Sequence, residues 1–198
     1  VVGQDPQPID GIVQFLSNAT QLGLLAVIVV AAGSLAIDAR PEVAAFLRTR
    51  VCDARTLLFP RLAVAAVTAV VALVVGTAVA WAMTAVLLGG LAVGSMLLGT
   101  ALGALYLLVV VAVVAFMGTV VRSVVGAVFA SLAVLIALPI VSLVPAISAW
   151  LPSELLTAVA GLLDGEGLAE YLPAVGTSLL TIVVLVESAA RRAEKREL

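Results

Sequence analysis

Apolar residues in this chain gather in long runs, too long for strands and apolar on every side rather than along one helical stripe. Five such runs predict spanning helices at about 15–37, 60–86, 96–117, 124–147 and 173–190. With a rise of about 1.5 Å per residue, about twenty residues cross a hydrocarbon core of about 30 Å. Pro60 and Arg61 mark one border of the second run and Trp81 the other. In the third, Gly99 and Gly103 keep the four-residue spacing at which helices approach closely. Pro139 and Pro145 predict a kink or break late in the fourth. The expected fold is therefore all-α, a single polytopic helical bundle over residues 1–198.

The polar positions between the runs sort by charge. Five of the ten Lys and Arg residues fall between Asp38 and Arg61, and none lies between Arg61 and Arg122 or between Arg122 and Arg191. Residues 1–14 and 148–172 carry acids and no base. Basic loops are retained on the cytoplasmic side, so the chain is expected to start outside a cytoplasmic membrane and to end, as RRAEKREL, inside it. An odd count from an outside start predicts one more span ahead of Val1.

Two connecting stretches stand out. In the basic one, Pro41 to Arg50 is read as a short amphipathic helix on the cytoplasmic side. Pro41 and Glu42 suit its first turn, Arg48 and Arg50 its last, and Val43, Phe46 and Leu47 share one face. In the acidic one, Ser153–Leu163 is too apolar to stand in water and too short, at about 16 Å, to cross a bilayer. It is expected to start on a Ser153 cap and to reverse at Gly161, Gly165 and Gly167. The outer segment 148–172, with Trp150 and Tyr171 marking the interface at either end, is thereby expected to fold back into the outer leaflet as one or two short helices. Trp150, Leu156, Val159 and Leu163 are its candidate outer-gate residues.

Composition narrows the chemistry. With 64% hydrophobic residues, 11% charged and a mean hydropathy of +1.29, the chain lies outside the range of soluble domains. It has no histidine, which removes paired-His haem ligation, the usual zinc sites and a Ser–His pair, and no Walker-type phosphate loop. Cys52, the one cysteine, has no partner for an internal disulfide. No catalytic residue, metal or bound cofactor is expected. Ionisable groups are missing from the runs away from their ends, so a carboxylate proton relay is disfavoured and any active transport must draw energy from another subunit. Small hydroxyls remain, and Thr68, Thr77, Thr100, Tyr106 and Ser131 are the candidates for lining a path suited to an amphipathic molecule.

Order and spacing resemble the membrane subunit of ATP-binding-cassette exporters of the second, drug and polysaccharide exporter type. The resemblance rests on AAGSLAIDARPE at the end of a span, FLRTRVCDARTLLFPR, the GALYLLVVVAVVAFMGTVVRSVVGAV pair of spans, VPAISAWLPSELL and the basic tail RRAEKREL. It covers essentially the whole chain, in pattern more than in invariant motif. It implies six spans per subunit, a homo- or heterodimer of permeases among membrane lipids, and a separate cytosolic ATPase that binds ATP and Mg; nucleic acid is not an expected partner. Glu42, Val43, Phe46, Leu47, Arg48 and Arg50 would then belong to a coupling helix docked on that ATPase. The family's first span and the interfacial helix before it have no counterpart here. Richness in Arg and Ala with a single Lys looks like a high-GC bacterium, an actinobacterium. The competing expectation is a membrane scaffold or accessory subunit without a path of its own.

Overall fold

The computed structural model describes residues 7–35, 54–121 and 123–195, giving the backbone alone at 54, 145, 146 and 195. Glu42, Val43, Phe46, Leu47, Arg48 and Arg50, expected to belong to a coupling helix, lie outside the described residues. Among those described, every regular element is helical. The first rod comprises α1 (Pro8–Asn18), a π-turn (Ala19–Gly23) and α2 (Leu24–Leu35). Then come α3 (Ala54–Leu87), α4 (Val93–Val120) and α5 (Val124–Val141). A broken segment follows, with α6 (Pro145–Ser148), a 3-10 turn (Pro152–Leu156) and α7 (Ala158–Asp164), before α8 (Leu168–Lys195). Five helices are long and apolar enough to cross a membrane, the build of a multi-pass membrane protein.

The bundle is organised around α4. Half of its apolar window is buried, against 17% in each of the other four spanning rods. The cause is local sequence: Val109–Ala115 holds only valine and alanine, small enough for neighbours to pack on every side, and all seven are buried. Helices α8, α3, α2 and α5 surround it, while the 3-10 turn and α7 cover its N-terminal end. One end of the bundle carries Asp10, Glu154, Asp164, Glu166 and Glu170; Arg55, Arg61, Arg191 and Arg192 lie at the other.

Several helix boundaries differ from the expected spans. Residues 8–14, expected as loop, are helical. Pro8 occupies the first helical position, and the Asp10 carboxylate accepts from the Gln7 backbone N–H at 2.7 Å, so the proline and acid that read as loop are start signals. Ile12, on the inner face of that added stretch, is fully buried. Helix α3 already includes Ala54, and Pro60 sits in its second turn rather than at its border. Pro139 lies inside α5, which continues to Val141, while Pro145 opens α6. The Ser153 cap is also corrected: Pro152, with its φ fixed by the ring, takes the first helical position, Leu151 becomes the cap, and the Ser153 hydroxyl is buried without a hydrogen-bond partner among the described residues. The chain reverses at Gly165, in the left-handed region at φ +98°, whereas Gly161 stays within α7.

Candidate functional site

The acidic end closes through one contact too tight for any side chain. A Cβ on Gly99 would lie 2.6 Å from the Cα of Val159 and 2.7 Å from its Cγ2, so α7 crosses α4 with its backbone almost touching. Glycine is required here because the obstacle is backbone and cannot rotate away. Ile12, Met96 and Val159 form a buried cluster against which Leu163 and Leu16 pack, tying α7 to α1 as well. The far side of the segment is tied to α8: the Thr177 hydroxyl donates to the Trp150 carbonyl at 2.5 Å, and the Tyr171 hydroxyl donates to the Glu166 carboxylate.

Beneath this cover lies a chamber of about 50 Å³. It is walled by Ala19 and Thr20 of the π-turn with Leu16 and Leu24, by Leu73 and Thr77 of α3, by Gly99–Leu107 of α4, and by Leu156 and Val159. Three of the five candidate path residues meet there, Thr77, Thr100 and Tyr106. The Thr100 hydroxyl donates to the Met96 carbonyl at 2.7 Å and keeps its lone pairs for another donor. Tyr106, near the middle of α4, is 1% exposed, and among the described residues no hydrogen-bond partner reaches its hydroxyl. No family model, curated protein or solved structure matches this chain.

The remaining candidates separate. Thr68 borders a different groove, about 170 Å³, between α2 and α3. Ser131 is fully buried and bonds its own helix, donating to the Ala127 carbonyl at 2.7 Å. Of the outer-gate set, Leu156 and Val159 face the chamber and Leu163 packs at its edge, whereas the exposed Trp150 borders a crevice of about 450 Å³ among α4, α5 and α8.

At the basic end, Arg55 of α3 donates through Nε to Glu194 at 2.5 Å and through Nη2 to Glu187 at 3.2 Å. Glu187 also accepts from Arg191 at 2.8 Å, and the Arg192 guanidinium lies 5.2 Å from the centre of the Phe116 ring. These side chains are about two-fifths exposed or more, so their worth is in fixing α3 against α8 rather than in bulk stability. Neither the π-turn nor this cluster was singled out from sequence. Glu187, an acid at the end of an apolar run and four residues before Arg191, was the one available signal for the cluster.

Proposed function

We propose that this chain is the transmembrane subunit of an ATP-driven exporter of amphipathic, lipid-like or drug-like molecules, working in a bacterial cytoplasmic membrane. In this reading the acidic end faces outward, the basic end and C-terminus face the cytosol, and Pro41–Arg50 is the coupling helix. A partner ATPase binds ATP and Mg, and a second permease completes the assembly. The observation that carries the reading is the ion-pair cluster of Arg55, Glu187 and Glu194, which fastens the residues just after the charged loop to α8. The other end of α8 holds the covering segment through Thr177 and Tyr171. In this reading a push on the loop reaches Arg55 at the start of α3 directly, the ion pairs pass it to α8, and α8 moves the cover off Gly99. In its outward position the segment 148–172 would be re-entrant and act as the outer gate.

The absence of ionisable groups along the described middle of the bundle supports an external source of energy, since a coupled proton or ion would need such groups within the helices. The experiment is co-purification and reconstitution of the chain with ATP-binding-cassette ATPases of its own genome. Phe46→Asp is expected to abolish ATPase association and substrate-stimulated hydrolysis. Unchanged association and stimulation would overturn the coupling role, and failure of the wild type to associate with any such ATPase would overturn the exporter reading.

A further inference from the structure

The chamber under Val159 and a groove between α3 and α4 share two residues. The groove, about 350 Å³, runs along Val70, Val74, Ala78, Trp81, Ala101 and Ala104 and has Thr77 and Thr100 in its wall. The same two threonines line the chamber. The two spaces, both mostly apolar, thus meet at a shared pair of small polar side chains.

The few polar groups of the chamber have a defined demand. Tyr106 lines the chamber from the middle of α4, 1% exposed, and among the described residues its hydroxyl has no acceptor, which leaves that donor for whatever occupies the space. Thr100, already donating to its own helix, offers lone pairs and no free proton. One donor and one acceptor facing the same small space complement a hydroxyl group, which accepts from Tyr106 and donates to Thr100. A charged head is excluded: no counter-charge lines the chamber, and burying an unpaired ion is far more costly than burying a hydroxyl. At about 50 Å³ the chamber has room for a head group of a few heavy atoms, on a measure where one water needs about 10–15 Å³, so the rest of such a molecule must lie elsewhere.

We propose that chamber and groove form one binding site for a neutral amphiphile, its hydroxyl held by Tyr106 and Thr100 and its apolar chain lying along α3 and α4 beside Trp81. The π-turn contributes Ala19 and Thr20 to the chamber wall. The site rests on the exporter reading only for calling this molecule a substrate.

Binding is tested on the full chain in lipid nanodiscs, without ATP or ATPase, so that a failure here is distinct from a failure of the transport reading. In a Trp150→Phe background Trp81 is the sole tryptophan, and a bromine on the ligand chain quenches it on contact. The probes are 10-bromo-1-decanol and 1-bromodecane, alike except for the hydroxyl. The alcohol is expected to quench Trp81 saturably, at about three- to tenfold lower membrane concentration than the bromoalkane, the range of one net hydrogen bond. Tyr106→Phe is expected to erase that difference while leaving bromoalkane quenching unchanged, and Thr100→Val to reduce it, which keeps the test open if one variant folds poorly. Equal quenching by the two probes in wild type, or an undiminished preference in both variants, overturns the proposal.

Discussion

Replacing Gly99 by alanine isolates the contact that closes the acidic end. The added Cβ meets the Val159 Cα at 2.6 Å where ordinary contact is nearer 4 Å, so α7 must withdraw by about 1 Å or more. Overpacking of this kind costs about 1–3 kcal/mol. Alanine also favours helix over glycine by about 1 kcal/mol, but α4 is helical whether α7 is docked or displaced, so that gain leaves the docking equilibrium unaltered. The whole strain therefore acts on docking, about five- to 150-fold toward the displaced state. The assay is the labelling rate of Leu162→Cys, in a Cys52→Ser background, by a membrane-impermeant maleimide. Gly94→Ala is the control, one turn away on the same helix, where an added Cβ meets nothing within 4 Å. Trimming Val159 to alanine is expected to restore docking only in part, because the nearest obstacle is its Cα. Equal labelling rates in Gly99→Ala and Gly94→Ala would refute the close crossing and the cover it makes.

Other perturbations reach the remaining ties. Gly161→Ala drives a Cβ into the Tyr171 hydroxyl and the Glu166 carboxylate, so it and Tyr171→Phe are expected to lower thermal stability by overlapping amounts, each about 1–3 kcal/mol; full additivity in the double variant would show that they are separate. Thr177→Val removes the donor to the Trp150 carbonyl and is expected to cost about 0.5–1.5 kcal/mol and to raise labelling at Leu151→Cys; unchanged labelling would refute the tie. Arg55→Glu is expected to separate ATP hydrolysis from transport in the reconstituted exporter, and the swap with Glu194→Arg to recover part of the coupling. A swap no better than the single variant would remove Arg55 and Glu194 from the route.

Much of the bundle was legible because membrane insertion writes itself in bulk: a helix surrounded by lipid must be apolar on all sides, and charge must leave the core. The close approach at Gly99 was legible as spacing, since small residues four apart mark a flattened helix face, although the sequence does not say which neighbour fills it. What was lost depends on one hydrogen-bond register. Pro8 and Asp10 read as loop because prolines and acids signal both loops and helix starts, and only the capping bond to Gln7 decides between them. Ser153 failed as a cap for the same reason, displaced by the proline before it. Thr77, Thr100 and Tyr106 could be named as hydroxyls in apolar runs, but nothing local states that they face one another while Ser131 turns to its own helix.

The π-turn at Ala19–Gly23 gives the first rod a phase shift. Each residue of an α-helix advances about 100° around the axis, and a π-turn accommodates one residue more than the regular ladder. Ile12 and Leu16 on one side of it, and Ile28, Ala31 and Ala32 on the other, are thus aligned by a count that a uniform helix would break. The extra residue is absorbed locally. Deleting a single residue at the turn would leave a regular helix with the two halves of this seam still aligned, whereas a deletion elsewhere in the rod, with the turn kept, would swing one half about 100° away from the other.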